Sequence, residues 1–241
     1  MVSLKSAEFF ITMISFSLAY IFVVTFVGYF RAWVTDKMGD DSAVNAGFLT
    51  LNPAQHFDLV GYICLLWLHF GWGSHMPLNP HNIVARSPLV RWIKLIIAYW
   101  SDAIAHIVLA TFSITGLVLM FGGKVIGVSV DMMMTGELSH MRFAALYPGG
   151  SSIAISFALV LIASVYLNVF LAVFNLVFRG LELVMIYLIE RSPHYAQYNN
   201  LATIFLYAIV VSIFVTPQLR WLLMVMIAHM GYLIACLFGA L

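Results

Sequence analysis

The chain has 241 residues, of which 63% are hydrophobic and 9% charged, and its mean hydropathy is +1.01. A soluble domain carries about 25% charged residues, so this composition excludes a water-soluble enzyme and a disordered chain and predicts an all-α polytopic membrane protein. The net charge of +1, from 11 basic and 10 acidic residues, gives no electrostatic footprint for nucleic acid.

The uncharged runs predict the spans. Phe9 to Phe30 carries no charge and exceeds the roughly 20 residues that cross a hydrocarbon core, which predicts a span over 8–31. It is too long for the apolar region of a cleaved leader and has no small-residue cleavage site, so it is expected to be retained. Residues 59–73 are apolar but too short to cross. They read as a re-entrant or interfacial segment ending in Phe70-Gly71-Trp72-Gly73. Leu95 to Gly123 holds one charge, Asp102, and predicts a span over 93–121. Residues 123–147 read as a loop containing Met132-Met133-Met134, a soft contact surface and a poor copper site because no Cys or His flanks it closely. Tyr147 to Phe178 is uncharged and predicts a span over 152–188. Thr216-Pro217-Gln218 breaks the last apolar region into spans over 200–216 and 218–240. The expectation is one transmembrane domain over 1–241, with five full spans and one short segment.

Between the spans, several residues suit non-helical backbone near a membrane surface. Gly39, Gly47, Gly61 and Gly71 permit tight turns, and Pro53, Pro77 and Pro80 stiffen extended stretches. Asn52, His56, Asp58 and Asn79 complete a structural loop. There, polar side chains satisfy backbone groups that are costly to leave unpaired. This structural role is favoured over metal ligation for His56 and Asp58. The two cysteines, Cys64 and Cys236, sit in separate apolar runs and form no CxxC motif. The eight histidines are His56, His69, His75, His81, His106, His140, His194 and His229. No pair falls within one helical turn, so no local sequence builds a metal site, and neither a metal nor another cofactor is expected.

Asp102 and His106 lie four residues apart on one predicted helix and share a face. A carboxylate beside a histidine inside a membrane can relay protons. The favoured alternative is structural: a local hydrogen-bonded pair, or a contact to a partner subunit. Glu190 and His194 repeat the spacing, but Pro193 intervenes, and this pair reads as a solvated loop.

The stretch 31–82 carries a resemblance. Gly39-Asp40-Asp41-Ser42-Ala43 is followed by GFLTLNPAQHFDLVG over 47–61, then an apolar segment, then FGWGSHMPLNPHN over 70–82. This order resembles the site-2 protease family of membrane-embedded zinc metalloproteases, and a weaker echo, NVFLAVFN, runs from Asn168 to Asn175. The resemblance implies a site-2-protease-like helical bundle in the bacterial inner membrane. The family uses a HExxH helix, with two histidines as zinc ligands and the glutamate as general base, plus a later aspartate. Registering Ala32-Trp33-Val34 against the family pattern places the histidines at Val27 and Arg31 and the glutamate at Gly28. The later aspartate falls at Leu183, or at Glu182 with one deletion. The resemblance with these losses predicts a pseudoprotease that is no enzyme.

The substituted charges then need partners. An Arg31–Glu182 ion pair would tie two helices where the family places zinc. The alternatives are Arg31 reaching to water at the interface and an Arg179–Glu182 pair on one helix. The expected role is to bind other integral membrane proteins, as component or regulator of a hetero-oligomeric complex in the lipid bilayer. The alternatives are an accessory subunit of a transporter or respiratory complex, and proton or ion conduction through Asp102 and His106.

Overall fold

The computed structural model describes residues 4–68, 71–135, 138–192 and 216–240. Every regular element among them is a helix. In chain order these are α1 (Leu4–Met38), α2 (Ser42–Asn45), α3 (Pro53–His56), α4 (Leu59–Leu68), α5 (Pro88–Phe121), α6 (Val125–Thr135), α7 (His140–Leu146), α8 (Ser152–Arg191) and α9 (Pro217–Leu237).

Three helices are long and apolar enough to cross a membrane, over 7–38, 88–121 and 152–191. They lie where three of the expected spans lie. Within α9 the apolar stretch is shorter, 221–237. The expected span over 200–216 lies outside the described residues except for Thr216, as do His69, Phe70, Pro193 and His194. At 1.5 Å per residue the 40 residues of α8 extend about 60 Å, twice the roughly 30 Å of hydrocarbon. Its far end can therefore carry charge clear of the lipid core.

Local chemistry sets the helix ends. Ser87 caps α5 by accepting the Val90 N–H at 3.4 Å, with Pro88 at the first helical position. Ser151 caps α8 through Ala154, and Thr216 caps α9 through Leu219, again ahead of a proline. α7 has a double cap: Ser139 accepts the Arg142 N–H, and Glu8 of α1 accepts the N–H groups of His140 and Met141 at 2.9 and 3.2 Å.

The long helices form one packed set, in which α5 meets α8 most extensively and α1 packs on both. α5 runs against the other two. Its Asp102 meets Arg31 and Arg179 near the far ends of α1 and α8, and its Phe121 meets Phe143 of α7, just before α8 begins. α8 is central: each of residues 162–172 is buried. A helix that is apolar on every side belongs in the middle. α1 keeps an outward stripe of Ile14, Leu18, Phe22 and Phe26, spaced one turn apart. So large an apolar surface fits lipid contact rather than water.

Three expectations are corrected here. Residues 123–147 are not a loop. They hold α6 and α7, and Met132 and Met133 are buried in the core while Met134 is exposed. The apolar positions Val125, Ile126, Met132 and Met133, with Ser129, follow helical spacing, which Lys124 and Asp131 obscure. Glu190 is not in a solvated loop. It sits on the last turn of α8 and pairs with Arg91 at 2.8 Å, because the proline restricts only Ser192 before it. Gly61 does not make a turn but lies within α4, and Gly71 serves a close backbone approach. Their backbones abut: a Cβ on Gly61 would stand 2.1 Å from the Trp72 carbonyl oxygen, and one on Gly71 would stand 2.3 Å from that of Gly61. The short apolar segment is thus a ten-residue helix, α4, followed by extended chain returning along it.

Candidate functional site

α1, α5 and α8 line a cavity of about 620 Å³, walled on another side by Phe48, His56, Asp58, Cys64 and residues 72–76. That wall is pinned to α1. The Tyr20 hydroxyl, fully buried, donates to the Trp72 carbonyl at 2.7 Å and accepts the Asp58 N–H at 3.3 Å. The Asp58 carboxylate turns back to accept the Gly61 N–H at 2.6 Å. Asn52 accepts the Ala54 N–H at 3.2 Å and, with Pro53 at the first position, starts α3.

His56 ends α3 and is buried. Its Nε2 lies 2.8 Å from the Thr50 carbonyl oxygen. A carbonyl only accepts, so Nε2 donates this bond. The ring packs against Gly28 of α1 so closely that an added Cβ there would stand 2.2 Å from Nδ1.

A second anchor lies behind the cavity. Asp40 is fully buried just after α1. Its Oδ1 accepts from Ser42 Oγ at 2.6 Å and from Asn82 Nδ2 at 2.8 Å, and its Oδ2 accepts the Asn79 N–H at 2.9 Å. Burial alone pushes this carboxyl up. The hydrogen bonds from Ser42, Asn79 and Asn82 outweigh it and hold the group below the usual carboxylate range. Asp40 therefore joins the stretch Gly39-Asp40-Asp41-Ser42-Ala43 to the segment that contains Pro77, Asn79 and Pro80.

The polar end of the cavity holds four charges. Arg31 Nη1 lies 3.5 Å from Asp102 Oδ2, and Arg179 Nε lies 3.3 Å from the same oxygen. Arg179 Nη1 also donates to both Glu182 oxygens, at 3.0 and 2.8 Å. Arg31 and Asp102 are 7% and 3% exposed, too little for water to screen them. Asp102 Oδ1 accepts the Ala103 N–H at 2.8 Å. One turn along, His106 Nδ1 lies 2.8 Å from Asn168 Oδ1. The Asn168 amide donates to the Ser164 carbonyl and hydroxyl, so its oxygen accepts and His106 Nδ1 donates.

Several expected residues meet here. Val27, Gly28, Arg31, Glu182, Arg179, Asp102 and His106 all line the cavity. Leu183 does not. It packs in a separate cluster with Ile83, Leu95 and Ala98. Arg31 faces Asp102 rather than Glu182, because Arg179 one turn away on α8 takes the glutamate. Asp102 and His106 share a face but have separate partners. The motif contains Asp40, but nothing in the sequence pattern gave it a partner, singled out Tyr20 or paired Asn168 with His106. An amide in an uncharged span is the signal that marks Asn168, and Asn175 in the same span carries it too.

A zinc site of the kind the resemblance implies needs three nitrogen, oxygen or sulfur donors. Val27, Gly28 and Arg31 supply none, and Glu182 is bound to a guanidinium. His56, Asp58, Asp102 and His106 line the same cavity, but among the described residues no three metal-ligating groups stand close enough to hold an ion. The described residues around the cavity therefore do not fit a zinc ion.

No family model matches the chain, and no solved structure matches it. Over 90 residues it is 36% identical to "Putative zinc metalloprotease YwhC" of Bacillus subtilis (strain 168), covering 37% of this chain and 39% of that protein. The chain is thus similar, over part of its length, to a protein named as a zinc metalloprotease. It spans well under half of that relative in the match. The similarity supports the site-2 protease resemblance read from the motifs. It also corrects one expectation: that the chain is no enzyme does not stand against a relative bearing that name.

Proposed function

We propose that this chain is a site-2-protease-like, multi-pass protein of the bacterial inner membrane whose cavity receives a segment of another membrane protein. The observation that carries the reading is a 620 Å³ cavity between three long apolar helices, walled by Val24, Val27, Leu171 and Phe174 and ending in buried charge. Apolar walls with a few convergent polar groups are the usual composition of a binding site. In this reading the chain is one transmembrane bundle with five spans and a short segment, and it works as part of a hetero-oligomeric membrane complex. The relative named as a metalloprotease supports the lineage.

A photo-crosslinking residue at Val27 or Phe174, in protein kept in native lipid, tests this. The expected result is a defined membrane-protein adduct from both cavity positions and none from Leu119, which is 64% exposed on the outer face of α5. Lipid adducts alone from the cavity positions would overturn the reading.

The relative's name favours a second reading, zinc-dependent peptide hydrolysis. It predicts about one zinc per purified chain and chelator-sensitive cleavage of a vesicle-borne substrate. Proton relay between Asp102 and His106 is less well supported, since Arg31 and Arg179 hold the first and Asn168 the second.

A further inference from the structure

Arg31 enters the cavity with uncommitted donors. A guanidinium carries five N–H groups. Its Nη1 makes one ion contact at 3.5 Å, beyond ordinary hydrogen-bond length, and its Nε has no acceptor among the described residues. The neighbouring acids are engaged elsewhere: Asp102 by Arg179 and the Ala103 N–H, and Glu182 by Arg179. A buried donor left unmatched is unfavourable, so a ligand that supplies an acceptor gains from it.

The charges around Arg31 say which acceptor. Arg31 and Arg179 are balanced by Asp102 and Glu182. A carboxylate brought to Arg31 would meet two carboxylates, and an ammonium would meet two guanidinium groups. A primary amide avoids both penalties. Its oxygen accepts from a guanidinium while its NH2 donates to a carboxylate, and each carboxylate has about four lone-pair positions. Apolar walls of Val24, Val27, Leu171 and Phe174 surround this polar end. We infer that the cavity recognises an Asn or Gln side chain on an otherwise apolar segment, with Arg31 donating to the amide oxygen. This rests on the segment-binding reading proposed above.

The test uses the full chain in phospholipid nanodiscs and four synthetic leucine-rich helical peptides that differ at one central position: Leu, Asn, Asp or Lys. The Asn peptide is expected to bind about tenfold more tightly than the Leu peptide, the scale of one hydrogen bond to a charged group. The Asp and Lys peptides should gain nothing over Leu. Carbon-13 at the side-chain amide should show a lowered carbonyl infrared frequency when bound. R31M should remove both the gain and the shift, and R31K should keep part of each. Equal binding of all four peptides, or tightest binding by Asp or Lys, overturns this inference and leaves segment binding standing. Failure of every peptide, with phospholipid retained in the cavity, overturns both. Should R31M not fold, the four peptides on the unmodified chain still decide.

Discussion

The imidazole of His56 lies flush against the α-carbon of Gly28, a contact between α3 and α1 that only glycine permits. A Cβ at position 28 would stand 2.2 Å from Nδ1 and 2.8 Å from Cε1. The ring cannot back away freely, because Nε2 is held by Thr50 and the ring also meets Phe48, with centroids 5.7 Å apart. Gly28→Ala should therefore destabilise the protein by about 1–3 kcal/mol, as overpacking of a fixed core does. Combining it with His56→Ala should cost less than the two single changes added, since removing the ring makes room for the methyl. Thermal unfolding of the three variants in one detergent checks this. Strict additivity would show that the contact is not tight in the membrane.

Asp40 predicts a pH dependence of known sign. Its folded-state carboxyl titrates below the ordinary value, as the hydrogen bonds from Ser42, Asn79 and Asn82 overcome the effect of burial. The stability it contributes is full above the ordinary carboxylate range near about pH 4, and is lost as pH falls through the lowered folded-state value. Asp40→Asn should cost roughly 2–3 kcal/mol at neutral pH, the scale of lost hydrogen bonds to a charged group. The gap between wild type and variant should close on acidification. A gap that stays constant down to pH 3 would assign the stabilisation to shape rather than charge.

The spans around this site were legible because a charge-free run longer than the bilayer is thick has little to gain anywhere but in lipid. The pairing inside the site was not. Arg31, Asp102, Arg179 and Glu182 all stood out as charges in apolar surroundings. Which acid each arginine meets depends on the rotation of α1, α5 and α8 about their axes, which spacing along one helix cannot give. Asp40 lay inside the motif that carried the resemblance, and Ser42 beside it is a local partner, yet Asn79 and Asn82 are 39 and 42 residues away and nothing local announces them. α6 was hidden differently. Lys124 and Asp131 made its stretch look like a loop, and the buried Met132 shows that the apolar period was the better guide.

Asp102 holds two arginines on different helices and should be the least replaceable charge in the chain. Asp102→Asn leaves Arg31 and Arg179 with one carboxylate between them, and should destabilise by about 3–5 kcal/mol. Adding Arg31→Met should restore part of that loss by removing one of the uncompensated charges. The Arg91–Glu190 pair makes a useful contrast, with side chains 22% and 32% exposed. There Glu190→Gln should cost no more than about 1 kcal/mol and should matter less at high salt. Unfolding midpoints at two ionic strengths separate the cases. Equal sensitivity to salt at both sites would mean that water reaches Asp102.

His106 and Asn168 give a sharper test of whether buried polarity here fixes the helix register. Asn168 is fully buried. It accepts from His106 of α5 and donates to Ser164, which in turn meets Ser113 at 3.1 Å. Four polar groups thus form a connected seam between α5 and α8. Asn168→Leu would leave the His106 Nδ1–H without an acceptor and should cost about 1–3 kcal/mol. Replacing both, as His106→Phe with Asn168→Leu, should be milder than Asn168→Leu alone, because no donor is then stranded. If the seam also sets register, a cysteine crosslink between α5 and α8 should form at one pairing in wild type and at several in the double variant, even where its unfolding midpoint is unchanged. A single pairing in both would assign register to the apolar packing of residues 162–172 instead.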